Sequence, residues 1–372
     1  VVNAFSLEIQ EFALWDKLRS KRIPFSFDIE ITARCNCNCR HCYIGVPAQD
    51  RQAKAAELAA DQIDDIAAQA VSLGAIWCLI SGGEPLLRPD FEDIYLRLKR
   101  RGLLVSVFTN ATLISAAHIA LFKKYPPRDI EVTVYGVTRT TYERVTQTPG
   151  SFDRFERGLD LLLQSGVKAR LKAMAVQSNF HEQAAIAAFC RQRTKDYFRF
   201  DPQLHLRFDR NEARNALIRA ERLEPEQILA LETADAQRLE ALKNNCKTLI
   251  NHDFCHIGCN HLFHCGAGNG SFYVSPDGTF RLCSSLWAPA AVYDLRRGSL
   301  TEAWNDFVPQ VRQLRSDRRP FFDTCRVCPL INLCLWCPAN AYLETGELDG
   351  ATPYFCQVAK ARGQALGHLQ RI

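Results

Sequence analysis

Between residues 28 and 206, short apolar runs alternate with longer stretches whose apolar positions recur at helical spacing. The runs at 27–33, 75–81, 103–109, 130–135, 168–176 and 197–206 are rich in Val, Ile and Phe. That composition predicts buried parallel strands. Helical patterns lie between them. The Ala-rich stretch 55–73 ends at Gly74, a C-terminal cap. The stretch 91–101 stops at Gly102, and 152–164 follows Ser151, an N-cap, and precedes Gly166. Six βα units in series predict an α/β fold with a parallel sheet, open or curled into a partial (β/α)6 barrel. In such sheets the chemistry collects at the C-terminal strand ends. After about Asn211 the pattern changes. Residues 224–243 read as one long polar helix bridging two domains, and from Cys246 onward cysteines, glycines and short strand-like pieces dominate.

The 372 residues suffice for one large domain and a smaller one. A net charge of +5 is small for this length, and the basic residues are scattered beside acids, which argues against nucleic acid as a partner. No apolar run approaches the roughly 18–20 residues of a membrane span. Residues 1–21 carry acids and lack the layout of a signal peptide, so a cytoplasmic protein is expected. Sixteen cysteines change that plain picture. They fall in tight clusters, and thiolates two to five residues apart converge on a metal centre more easily than they form unstrained disulfides.

The first cluster follows the first strand. Cys35, Cys39 and Cys42 form C-x3-C-x2-C, with Cys37 inside the spacing. Three thiolates hold three irons of a [4Fe–4S] cluster and leave the fourth open to a ligand with an amine and a carboxylate on one carbon. On the spacing alone, a zinc site is the lesser alternative. Three further segments stand at successive strand ends: Ser81-Gly82-Gly83-Glu84-Pro85, Thr109-Asn110-Ala111 and Glu131-Val132-Thr133-Val134-Tyr135-Gly136. Together with the cysteine loop they resemble the signature of the radical S-adenosylmethionine (SAM) superfamily. The resemblance implies that Cys35, Cys39 and Cys42 carry the SAM-cleaving cluster. It further implies that Gly82, Gly83 and Glu84 meet the SAM ammonium, that Asn110 belongs to the cofactor site and that Thr133 meets the ribose. Lys172 becomes a partner for the SAM carboxylate, and His41 lies over the adenine. Ala111 stands where the family carries glycine.

A second set comprises Cys259, Cys265, Cys283, Cys325, Cys328, Cys334, Cys337 and Cys356. Its spacing resembles the SPASM domain, a seven-cysteine extension of radical SAM enzymes. Cys334 and Cys337 are separated by two residues where that family usually has three. The resemblance implies two auxiliary [4Fe–4S] clusters, one on Cys259, Cys265, Cys283 and Cys337 and one on Cys325, Cys328, Cys334 and Cys356, three clusters in all. Cys255 rivals Cys259, and a pair of structural zinc ribbons is the alternative. Cys37, Cys78, Cys190 and Cys246 read as buried filler. The expected division is 1–27 N-terminal extension, 28–210 radical SAM partial barrel, 211–258 helical bridge and 259–372 SPASM domain.

The resemblance implies oxidative modification of a peptide or protein, fed by an electron donor such as flavodoxin or ferredoxin. Cys283 is followed by Ser284-Ser285, where sulfatase-activating relatives carry Asp. Only about 27 residues precede the first strand, too few for a winged-helix domain, so a separate leader-binding protein or another surface is expected. The second enzyme reading is oxidation of a tetrapyrrole side chain, with Arg207 and Arg210 as candidates for its carboxylates. A non-catalytic iron–sulfur electron-transfer or structural zinc protein is the reading from another class.

Overall fold

The computed structural model describes residues 17–18, 20–195, 199–250 and 260–367. The strands are β1 (Ser26–Thr32), β2 (Arg34–Cys35), β3 (Val46–Pro47), β4 (Trp77–Gly82), β5 (Leu104–Thr109), β6 (Asp129–Val134), β7 (Ala169–Met174), β8 (Arg199–Asp201), β9 (Ser271–Val274), β10 (Thr279–Arg281) and β11 (Val292–Asp294). Apart from the small β2–β3 pair, they form one nine-stranded sheet in the order β11-β10-β9-β1-β4-β5-β6-β7-β8. From β1 to β8 every pairing is parallel, as six βα units in series require. Side chains from β9, β1, β4, β5 and β6 line one cavity, so the sheet curls around it. Among the described residues, the edge strands β8 and β11 do not pair, and the barrel stays open.

The hydrophobic pattern inside these strands departs from a continuous apolar run. Phe27, Ile29 and Ile31 of β1, Cys78 and Ile80 of β4, Val105 and Val107 of β5 and Ile130, Val132 and Val134 of β6 join the helices in one core. The alternate positions carry Asp28, Glu30, Ser81, Ser106, Asp129, Glu131 and Thr133. Period-two alternation therefore places an apolar face under the helices and a polar face in the barrel. Ile63, Ile66, Ile94, Leu98, Phe155 and Leu159 supply the helical side, each worth roughly 1.5–3 kcal/mol of burial.

Two helices expected as single rods are broken. The first consists of Arg51–Ala56 and Ala60–Ser72. Between them Glu57 ion-pairs with Arg34 at 2.7 Å, and Leu58 N–H bonds to the Pro276 carbonyl at 2.7 Å. The second consists of Pro225–Thr233 and Ala236–Leu249, where Asp235 caps the new start by accepting from Arg238 N–H. Helix Ser151–Ser165 is capped by Gly150, and Ser151 is its first residue. Gly74, Gly102 and Gly166 follow their helices at positive φ, as glycine punctuation predicts. Among the described residues, no helix is long and apolar enough to cross a membrane.

The C-terminal part is not a separate layer. β9 pairs in parallel with β1, Ser26 opposite Ser271 through Ile29 opposite Val274. β10 and β11 continue that edge antiparallel. Phe27 and Phe272 stack across the junction at 5.2 Å.

Candidate active site

The loop after β1 is fastened at several points before it presents its cysteines. Asn38 N–H and Arg40 N–H bond to the carbonyls of Thr146 and Val145 at 2.9 and 3.2 Å. The Arg40 side chain pairs with Glu221 at 2.6 Å, and Arg214 donates to the Asn38 side chain at 3.0 Å. Arg207 is buried against Asp209 at 2.6 Å and donates to the Ile44 carbonyl. Arg207 is thus a clamp on the cysteine loop, and Arg210 lies over the Tyr342 ring at 4.7 Å.

Cys35, Cys39 and Cys42 line one cavity of about 270 Å³ together with Cys37. Gly45 N–H donates to Cys42 Sγ at 3.2 Å, and the Asn110 amide reaches Cys35 Sγ at 3.8 Å and Cys37 Sγ at 3.7 Å. Burial and the neighbouring thiolates push the Cys39 and Cys42 thiols up. A hydrogen bond with Cys37 and then burial do the same for Cys35. Such thiols ionise readily only with an added positive charge, so the donor set fits an iron cluster.

The expected contact residues divide in two. Gly82, Gly83, Asn110, Thr133 and His41 line the same cavity. Gly82 has φ 144°, and a Cβ there would stand 2.2 Å from the Thr32 carbonyl oxygen. A Cβ on Gly83 would stand 2.4 Å from the Arg34 carbonyl oxygen. The glycines are needed for β4 to cross the cysteine loop at this distance. His41 is buried with Nδ1 lacking a hydrogen-bond partner among the described residues, and burial lowers its pKa to about 4. A neutral, orphaned ring nitrogen in a cavity wall fits a bound polar ligand.

Glu84 and Lys172 are engaged elsewhere. The fully buried Glu84 carboxylate accepts from Thr109 Oγ1 at 2.8 Å, Asn110 N–H at 2.7 Å and Leu86 N–H at 3.2 Å. Burial pushes its pKa up to about 7 against the pull of these bonds. It therefore fixes the β5 end, and with it Asn110, instead of facing the cavity. Lys172 Nζ lies 2.5 Å from Glu131 and 4.0 Å from the Phe108 ring centre.

Asp28, Tyr43, Phe108 and Tyr273 also line the cavity and were not singled out in the sequence, and they are joined by Ser284, which stands where sulfatase-activating relatives carry Asp. Their signal was the acid at alternate positions of β1 and the aromatic residue after Cys42.

Cys325, Cys328, Cys334 and Cys356 line a second cavity of about 410 Å³, walled by Leu330, Ile331 and Trp336. Burial, then the charges of the other three, push Cys334 up to about 12. Cys265 and Cys337 line a third cavity of about 410 Å³. Cys283 is pushed up to about 11 by burial and then by Cys337, with Cys265 adding to the effect. Four of the described cysteines thus stand around one cavity and two around the other, with Cys283 coupled by charge to the second pair. Cys255 and Cys259 lie outside the described residues. Trp336 walls both cavities, and Leu335 takes φ 53°. Leu335 lies within the shortened Cys334–Cys337 spacing.

The family model of the radical SAM superfamily matches residues 29–179. That of the SPASM iron-sulfur cluster-binding domain matches residues 265–329. An AdoMet-dependent heme synthase of Methanosarcina barkeri is 24% identical over 351 residues, covering 87% of this chain and 94% of that protein. The antilisterial bacteriocin subtilosin biosynthesis protein AlbA of Bacillus subtilis is 24% identical over 328 residues, covering 85% and 67%. The crystal structure of Streptococcus suis SuiB bound to its precursor peptide SuiA is alike in fold, with TM-score 0.67 and 16% identity, covering 96% and 84%. A sheet of βα units with a cysteine loop after its first strand, continued by a cysteine-rich C-terminal part, thus coincides with both matches, and the chain is a radical SAM protein with a C-terminal SPASM domain.

Proposed function

We propose that this chain is a cytoplasmic radical SAM/SPASM oxidoreductase that oxidatively modifies a peptide, by crosslinking or side-chain oxidation of a ribosomally made precursor. The observation carrying the proposal is the meeting of Cys35, Cys39 and Cys42 with the ends of β4, β5 and β6 around one cavity. When bound there, a [4Fe–4S] cluster and SAM supply reductive cleavage of the sulfonium carbon–sulfur bond to a 5′-deoxyadenosyl radical.

The chain's own residues position and enclose that chemistry. Cys35, Cys39 and Cys42 hold the cluster. The Gly82 and Gly83 backbone, Asn110, Thr133 and His41 form the SAM wall, and Glu84 positions Asn110. Cys325, Cys328, Cys334 and Cys356 hold one auxiliary [4Fe–4S] cluster. Cys265, Cys283 and Cys337 hold another, with Cys259 or Cys255 as fourth ligand. An external flavodoxin or ferredoxin and a separate leader-binding protein complete the system.

The similarity to a heme synthase over most of the chain supports tetrapyrrole oxidation as a second reading. Against it, Arg207 is already held by Asp209 and the Ile44 carbonyl. Co-expression with short peptides encoded nearby, followed by mass spectrometry, separates the two. A peptide losing two hydrogens in a manner dependent on Cys39 supports the proposal. An unaltered peptide beside a tightly bound, altered porphyrin overturns it. Anaerobic reconstitution should give about twelve irons per chain, the content of three such clusters.

A further inference from the structure

Four carboxylates of β1 and β6 face the barrel, and three of them are matched. Asp129 lies 3.6 Å from Arg170. Glu131 lies 2.5 Å from Lys172 and 2.7 Å from Arg199. Glu30 accepts from the Tyr273 hydroxyl at 2.7 Å and lies 3.8 Å from Arg281. Asp28 has neither a hydrogen bond nor an ion pair among the described residues.

Its position is equally distinct. Asp28, Leu79 and Phe108 line both the cysteine cavity and a lower cavity of about 260 Å³ inside the barrel. These three side chains are the partition between the two spaces, the floor of the reaction chamber. Asp28 is half-buried in the wall of both cavities and accepts from no side chain among the described residues, although Arg128, Arg170 and Arg199 line the lower cavity with it, so its charge is partly desolvated. Burial, and then the charge of Glu30, raise the Asp28 pKa to about 6, so it is ionised above that pH. An ionised carboxylate only accepts hydrogen bonds, repels anions and attracts cations.

We propose that Asp28 is a specificity-determining residue that receives a cationic nitrogen of the substrate, an ammonium or guanidinium, at the floor of the chamber. The inference rests on the peptide reading above. It assigns to the substrate a lysine or arginine side chain near the reacting carbon, and it disfavours a polycarboxylate in the same place. SAM is the other source of positive charge at this site, and the experiment separates the two.

The test uses the iron-loaded, SAM-bound protein, with N-acetyl-lysine N-methylamide and its norleucine counterpart as probes. Calorimetry near pH 7.5 should show the lysine probe binding at least about tenfold more tightly. Asp28→Asn, which keeps the shape, should abolish that preference and leave SAM affinity unchanged. Equal binding of the two probes, no measurable binding of the lysine probe, or a preference that survives Asp28→Asn overturns the inference. So does a loss of SAM affinity in place of the lysine preference, because Asp28 then answers to the SAM cation. A modified peptide in an enzyme indifferent to the lysine probe removes the role of Asp28 and leaves the peptide reading standing. An altered porphyrin with no altered peptide removes the peptide reading instead.

Discussion

Replacing Glu84 by alanine removes the acceptor for the Asn110 amide and the Thr109 hydroxyl at once. Both donors are buried, and each left unsatisfied costs about 1–3 kcal/mol. Relief of a buried carboxylate offsets part of that, so a net loss of about 2 kcal/mol is expected in denaturant titration. SAM affinity should fall with it, because Asn110 loses its anchor. Unchanged stability with lost SAM binding would instead mean direct contact with the ligand. Asp28 gives the opposite sign. Its pKa rises from 3.8 to about 6 on folding. Between those values the folded state binds more protons, so stability falls as pH rises through that window. The full penalty, at most about 3 kcal/mol for a shift of this size, stands above about pH 6. Asp28→Asn should therefore be more stable than the parent near pH 7.5 by about 2 kcal/mol. The gain should fade by about pH 4, as read from melting curves. A gain equal at both pH values would locate it elsewhere than in this charge.

Among the elements, the turn after β5 tests a departure visible in the sequence. Ala111 replaces a glycine of the family pattern, yet the structure gives it φ 62° in a fully buried site. Helix Ser151–Ser165 seals the turn. A Cβ on Gly158 would stand 1.9 Å from the Ala111 carbonyl oxygen, so the turn cannot relax outward. Left-handed alanine costs about 1–2 kcal/mol. Glycine adds back about 0.4–1 kcal/mol of backbone entropy loss. Ala111→Gly should thus stabilise the protein by up to about 1 kcal/mol, measured as a higher denaturant midpoint; a clear decrease would contradict the strain. The strands were legible because their outward positions are strongly apolar and glycines punctuate the helices. The break at Glu57 was not, because it depends on Arg34, distant in sequence, whereas the Asp235 cap is local and Arg191 adds an ion pair to it. The clustering of the cysteines was legible from their spacing, and their division into sets came from the family resemblance. The aim of Glu84 and Lys172 was not, since spacing fixes where a side chain starts and not which neighbour it meets.

At the scale of the whole molecule, the sequence suggested a barrel followed by a separate cysteine-rich part, whereas the sheet runs through both. Pairing of β9 with β1 joins segments some 240 residues apart in sequence, and no local pattern encodes that. The join is held in polar terms by Arg281 of β10, which is fully buried. It donates to Ser275 Oγ at 2.5 Å and to the Ser284 carbonyl at 2.7 Å, lies 3.4 Å from the Trp287 ring centre and faces Glu30 of β1 at 3.8 Å. Burial lowers the Arg281 pKa and raises that of Glu30, each opposed by the other's charge. Arg281→Met leaves a buried carboxylate with Tyr273 as its sole donor among the described residues, at an expected cost of about 3–5 kcal/mol. Glu30→Gln in the same chain removes the stranded charge and should recover at least half of that loss. Acidification should also narrow the gap between Arg281→Met and the parent. Without its cation, the folded-state pKa of Glu30 rises further, and an acid with a raised pKa regains stability as pH falls. Unfolding of the iron-loaded protein and its variants completes the cycle. If the two single losses simply add, the Arg281–Glu30 pair adds no coupling beyond the β1–β9 pairing, the Phe27–Phe272 stack and the other contacts across the junction. If they do not add, this ion pair couples the radical SAM half to the residue beside Cys283, and a change at one cysteine set is felt mechanically at the other.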